Sequence, residues 1–185
     1  MAKSAGDLAS VVSTALNKSF NLEAFKKSKY LDKTSFFKKQ RWIPFSPAIQ
    51  EALSIPGVPM GHVFIARGGS DTGKTTLMIE TAVTAQKMGV LPIFIITEMK
   101  WDFEHASKMG FEIETTTSGE NGDLIDYKGF FIYVDRSSLN SIEDVAGFIS
   151  DLLNEQSKGK LPYDLLFLWD SSGSIPCAMS IEQGK

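Results

Sequence analysis

The sequence predicts an α/β fold built round a parallel-rich central sheet, and three observations carry that expectation. Short unbroken apolar runs recur along the chain, at Val63 to Ala66, Pro92 to Thr97, Phe130 to Val134 and Leu165 to Trp169. Segments of helical pattern separate them, at Leu77 to Met88, Trp101 to Met109 and Ser141 to Asn154. A strand covered by helices on both faces reads as a continuous apolar run, whereas a strand with one wet face alternates. The third observation is a glycine-rich turn set between the first run and the first of these helices, the join that a strand-to-helix unit requires.

With 185 residues, 43% of them apolar and 22% charged, the chain has the make-up of a soluble globular protein with one sizeable core and an appendage. No stretch approaches the roughly 20 apolar residues that span a bilayer. Ala5 to Leu16 is broken by Asp7, Ser10, Ser13 and Thr14, so it lacks the apolar run of a secretory signal. Cytoplasmic residence is expected. The single Cys177 has no internal partner and reads as a buried or idle thiol. Charge is uneven beneath a net value of -3: residues 1–41 carry nine Lys or Arg against Asp7, Glu23 and Asp32, and the acidic residues concentrate in the remainder. A basic head on an acidic body either attracts an acidic neighbour or a nucleic-acid backbone, or is a solvated tail, and charge alone leaves both open.

Taken in order, the elements begin with a helix from Ser4, in which Leu8, Val11, Val12, Ala15 and Leu16 share one face. Leu22 to Phe37 follows, with Phe25, Tyr30, Leu31, Phe36 and Phe37 set among lysines; it packs either on its own domain or on a neighbouring subunit. Pro44, Pro47, Pro56 and Pro59 then break the chain into turns round a short helix from about Ser46 to Leu53, which marks the junction between an arm at 1–44 and a core at 45–185. Beyond the second apolar run lie the helix at Trp101 to Met109 and a Gly- and Thr-rich stretch, Thr115 to Gly122. Ser141 and Asp144 have the spacing of a capping box opening the helix to Asn154.

Chemistry is carried first by Gly68-Gly-Ser-Asp-Thr-Gly73-Lys74-Thr75, which fits G-x-x-x-x-G-K-[ST] in full. At average residue usage a chain of this size matches by chance below about one time in a hundred. Glycines let backbone amides curl round phosphate oxygens, and a helix N-terminus adds partial positive charge. Gly68, Gly69, Ser70, Asp71, Thr72, Gly73, Lys74, Thr75 and Thr76 are therefore the nucleotide-binding candidates, with Lys74 directed at the β- and γ-phosphates and the Thr75 hydroxyl at Mg²⁺. ATP and Mg²⁺ are the implied cofactors. Five apolar residues ending in Asp170 form the Walker B pattern, which makes Asp170 the second metal-site candidate. Ser171 and Ser172 either hydrogen-bond near the γ-phosphate or simply end the strand. Glu98, at the end of the second run, is the candidate for orienting the attacking water, since strand ends in such sheets face the ligand crevice. Asp102 and Glu104 read as a solvated helix face, and His105 as a surface residue.

Val58-Pro59-Met60-Gly61-His62-Val63, the glycine loop, Thr97-Glu98 and Lys108-Met109-Gly110-Phe111 together resemble the front half of the RecA family of recombination ATPases, phage UvsX-type members included. The likeness runs from about Phe45 to Pro176. It implies a RecA-like core preceded by a helical N-terminal arm, with Lys74, Thr75, Glu98 and Asp170 forming an ATP site and Glu98 activating water. It also implies filaments on single-stranded DNA, with the arm before Pro44 docking on the next subunit as a homo-oligomer contact. Two departures stand out. Thr115 to Lys128 is longer and more polar than the pattern calls for and reads as a hairpin insertion. The sequence also ends at Lys185, soon after the Asp170 strand, so the expected core is incomplete and its nucleotide turnover weak, with an exposed sheet edge for some partner to cover. The leading expectation is an ATP-dependent recombinase. A replicative helicase of the same fold, suggested by Thr97-Glu98-Met99, and a non-enzymatic regulator of a full-length relative are the alternatives.

Overall fold

A computed structural model describes residues 40–98, 101–118 and 124–183 of the chain. The helix expected from Ser4 and the aromatic, lysine-rich stretch Leu22 to Phe37 lie outside the described residues. The chain divides into two compact units, Met1–Arg41 and Trp42–Lys185, and the second carries everything that follows.

That unit opens with β1 (Trp42–Pro44), α1 (Pro47–Leu53) and β2 (Gly57–Pro59). β1 and β2 pair antiparallel, Ile43 opposite Val58 and Pro44 opposite Gly57. At Gly57 an added Cβ would collide with the backbone of Ile43 and Pro44, so only glycine permits the approach. The proline-rich stretch read as turns therefore contains a two-stranded ribbon. Its prolines sit at strand ends, where a missing amide removes no ladder bond. Ser46 N donates to Glu80 Oε1 at 2.7 Å, which ties the ribbon to the following helix.

The central sheet holds β3 (Leu91–Ile96), β6 (Ile132–Asp135) and β7 (Leu165–Asp170), in the order β6-β3-β7 and all parallel. Every residue of the middle strand β3 is buried. On one face, Phe94, Ile96, Leu166 and Leu168 pack against Ile79, Ala82 and Val83 of α2 (Lys74–Lys87). On the other, Ile95, Val134, Phe167 and Trp169 meet Val145, Phe148 and Ile149 of α4 (Ile142–Ser157). Alternate residues of each strand thus serve opposite helical layers, which is the expected α/β arrangement of a RecA-like core.

Between β3 and β6 lie α3 (Phe103–Lys108) and an antiparallel hairpin of β4 (Glu114–Ser118) and β5 (Leu124–Lys128), so the polar stretch from Thr115 forms a hairpin. Tyr127 stacks on Phe103, ring centroids 4.3 Å apart, and Phe103 in turn contacts Trp101 and Phe131. The Gln86 amide bonds both the N–H and the carbonyl of Glu112, fastening the end of α2 to the root of the hairpin.

The run at Val63 to Ala66 is a correction. No strand forms there: Val63 is 88% exposed and Ile65 65% exposed, and only Phe64 packs, edge-on to Phe45 at 5.8 Å. A strand exists through its neighbours' hydrogen bonds, and among the described residues this run pairs with no strand, although β7 is paired on its β3 side alone. β6 also starts two residues later than the apolar run, because Phe130 and Phe131 follow the turn at Gly129, whose φ of 157° is left-handed, and Phe130 packs on Tyr163.

The capping box forms as expected. Asp144 N donates to Ser141 Oγ at 3.1 Å while Asp144 Oδ2 accepts from Ser141 N at 2.9 Å. Ser141→Ala should lower stability by about 1 kcal/mol, read from urea denaturation. The backbone N–H of Asn140 and the bonds to Ser141 hold the Asp144 carboxyl below its ordinary range. Because the folded value is the lower one, this contribution is present above the ordinary carboxylate pKa and fades as pH falls through the depressed value. Asp144→Asn should accordingly lower stability at neutral pH and cost progressively less in acid, and a deficit independent of pH would contradict the carboxylate's part in the box.

Candidate functional site

The glycine loop enters α2 through two left-handed residues, Asp71 at φ 59° and Gly73 at φ 85°. Aspartate tolerates that region and glycine adopts it freely. Thr72 Oγ1 donates to Gly69 O at 2.9 Å and closes the turn. A Cβ at Gly68 would lie 2.5 Å from the same hydroxyl, so the loop cannot close this way round a larger residue. Gly73 is the N-cap of α2, and among the described residues no side chain bonds to it there. The first-turn amides of a 14-residue helix thus face outward at its positive end, ready for an anion. Ser70 and Thr76 are exposed on this loop and first turn. The Lys74 ammonium folds back on the loop, donating to Gly68 O at 3.1 Å and Gly69 O at 2.5 Å.

Thr75, the next residue, points at the sheet. Its Oγ1 donates to Asp170 Oδ2 at 2.8 Å, joining the first turn of α2 to the end of β7. β3 ends beside it: Thr97 N and Glu98 N both donate to Asp170 O, at 2.9 and 3.2 Å. The Glu98 side chain is exposed, and its Oε1 accepts from Ser171 Oγ at 2.5 Å. The structure therefore brings Lys74, Thr75, Asp170 and Glu98 to one end of the sheet. The third strand, β6, ends nearby with Asp135, but Ser137 N and Oγ already engage that carboxylate, at 2.9 and 2.5 Å.

Behind these groups sits a polar knot that composition did not single out. Thr97 is 1% exposed. Its Oγ1 donates to Ser171 O at 2.7 Å and accepts from Ser174 Oγ at 2.7 Å and Trp169 Nε1 at 3.1 Å. Ser174 Oγ also lies 2.7 Å from Ser171 O, within a 3-10 turn at Ser172–Ser174. The peptide bond between Asp170 and Ser171 is cis. The available signal was a threonine closing an otherwise apolar run and three serines after Asp170; neither names its partners.

Among the described residues no group of three His, Cys, Asp or Glu is arranged to hold a metal ion. One hydroxyl and one carboxylate suit a different case, a magnesium ion whose remaining positions are filled by water and a nucleotide's phosphates. The residues present, with the helix amides for the phosphates, fit such a pair.

A glycine loop opening onto a helix, beside a parallel strand that ends in aspartate, puts the chain among the P-loop α/β proteins. The sequence comparisons narrow this: the family model of the RecA N-terminal domain matches residues 15–123, and the chain belongs to the RecA family. It is 35% identical over 80 residues to Protein RecA of Streptomyces coelicolor, covering 42% of this chain and 21% of that protein. Over 69 residues it is 38% identical to Protein RecA of Clavibacter michiganensis, covering 37% and 19%, and 36% identical to that of Geobacter sulfurreducens, covering 37% and 20%. The matched part thus spans about a fifth of the length of these relatives. No solved structure matches. Among the described residues no helix is long and apolar enough to cross a membrane.

Thr97→Val keeps the shape and deletes the hydroxyl, stranding the Trp169 N–H, while the Ser174 hydroxyl can turn to the Ser171 carbonyl 2.7 Å away. A loss of about 1–3 kcal/mol is expected in urea denaturation; stability within about 0.3 kcal/mol of the parent, below the usual cost of an orphaned polar group, would show the knot to be dispensable.

Proposed function

We propose that this chain is part of an ATP-dependent DNA recombinase that binds ATP with Mg²⁺, hydrolyses it, and promotes strand exchange in filaments on single-stranded DNA. The observation that carries the reading is the Thr75 hydroxyl resting 2.8 Å from the Asp170 carboxylate at the mouth of the glycine loop. Family membership supports the rest. The bound nucleotide supplies a γ-phosphoryl group for transfer to water. The amides from Gly68 to Thr76 hold its phosphates, and Lys74 exchanges its two loop carbonyls for phosphate oxygens. Thr75 and Asp170 hold the metal and its water shell. Glu98 accepts a proton from the attacking water, a role supported by its place just past the end of β3 with its carboxylate on the Ser171 hydroxyl. Neighbouring copies and single-stranded DNA are the proposed partners, in the cytoplasm, with the basic aromatic arm at 1–44 docking on the next subunit.

Titration with a fluorescent ATP analogue and Mg²⁺ tests the site. Lys74→Ala should weaken binding at least about tenfold, the loss of one charge-assisted contact. Glu98→Ala should bind within a factor of about 3, yet lose roughly 10²-fold or more in turnover, the share general-base catalysis commonly supplies. Normal binding by Lys74→Ala together with normal turnover by Glu98→Ala would remove the assignment.

A further inference from the structure

Glu98 is exposed and has three rotatable side-chain bonds, so left alone its carboxylate would sweep through many rotamers. One hydroxyl, that of Ser171, engages it among the described residues. Ser171 is itself held: its carbonyl accepts from Thr97 Oγ1 at 2.7 Å, and the Thr97 hydroxyl is pinned further by Trp169 Nε1 and Ser174 Oγ. With its carbonyl taken by the buried Thr97 hydroxyl, Ser171 turns its own hydroxyl to Glu98. A fixed donor on a fixed backbone orients a mobile carboxylate, and misplacement of a reacting group by about 1 Å can cost 10²-fold in rate.

We propose that Ser171 is a positioning residue that holds the Glu98 carboxylate at the end of β7, with the buried Thr97 hydroxyl, backed by Ser174, fixing Ser171 in turn. This rests on the reading of Glu98 as the group that takes the proton from water. Ser171 touches neither nucleotide nor metal in this scheme and acts only through Glu98.

The decisive measurement is side-chain ¹³C relaxation of the full chain labelled at glutamate carboxyl carbons, with the Glu98 signal assigned by its disappearance in Glu98→Gln. In the parent protein the Glu98 carboxyl should be as restrained as a hydrogen-bonded group. Ser171→Ala should release it to the mobility of a free surface glutamate, and Ser171→Thr, which keeps the hydroxyl, should retain the restraint. Turnover should fall roughly tenfold in kcat for Ser171→Ala with KM for ATP unchanged, as expected for lost orientation. In a Glu98→Ala background the same change should do nothing further. A Glu98 signal equally mobile in the parent and in Ser171→Ala overturns the proposal. So does a Ser171→Ala defect in nucleotide binding that persists in the Glu98→Ala background, since that would make Ser171 a direct ligand. Lys74→Ala binding judges the ATP reading separately: normal nucleotide binding there with a Ser171-restrained Glu98 would sink that reading and leave the restraint itself standing.

Discussion

The parallel pairing of β3 with β7 positions every group in the site. It runs in unbroken register from Leu91 opposite Leu165 to Ile96 opposite Asp170, so both strands finish at the same level and the next two amides of β3 converge on the Asp170 carbonyl. Parity does the rest. Leu166 and Leu168 face α2, and by the two-residue period Asp170 shares their side, where Thr75 stands on the first turn of that helix. Phe94 and Ile96 face the same way, and Glu98, in the bend just past the strand, is held at this end by its N–H to the Asp170 carbonyl and its carboxylate on Ser171 Oγ. Sliding β7 by one residue would send Asp170 to the α4 layer and present Trp169 to the loop. Burial of both faces makes that slip costly, since each would exchange apolar for mismatched side chains.

The odd-numbered residues have the complementary task. Ile95, Phe167 and Trp169 pack toward α4, and Thr97 continues their row. Where that row ends, the core turns polar, and the Trp169 indole N–H finds the Thr97 hydroxyl instead of remaining an orphan. Trp101 is the contrast: among the described residues its buried Nε1 has no hydrogen-bond partner, although its ring packs on Phe94 at 4.6 Å. An unpaired buried N–H costs on the order of 1–3 kcal/mol, so the aromatic packing round Trp101 must offset it. Both tryptophans lie within a few residues of a site carboxylate, yet only Trp169 is wired to one through hydrogen bonds.

How much of this could be read from the residues differs by element. α2, α4 and the buried strands β3 and β7 were legible because their signals are local: a helix-opening glycine loop, a capping box, and apolar runs long enough to be covered on both faces. The loop candidates, Thr75, Asp170 and Glu98 were legible for the same reason, as residues at element ends. β1 and β2 were not, because Pro44 and Pro59 argue against strands everywhere except at an edge, and edges are defined by tertiary neighbours. Val63 to Ala66 failed the opposite way. Its composition suits a strand, but strand character also depends on a second chain segment with free amides alongside. The Thr97 knot joins residues more than 70 positions apart, a separation at which no spacing rule operates.

The hairpin is attached to the same scaffold rather than to the site. Tyr127 stacks on Phe103, Phe103 meets Trp101, and Trp101 lies on Phe94 in the middle of β3, a continuous aromatic line from the hairpin to the strand that ends in Thr97 and Glu98. Stacked and edge-on ring pairs are each worth about 0.5–1.5 kcal/mol beyond the area they bury, so the line fixes the hairpin without any charged group. The short helix α3 is held at the midpoint of that line, its N-cap Asp102 accepting from His105 N at 3.0 Å. The hairpin thus holds α3 through apolar contacts, while Ser171 engages the Glu98 carboxylate through a hydrogen bond.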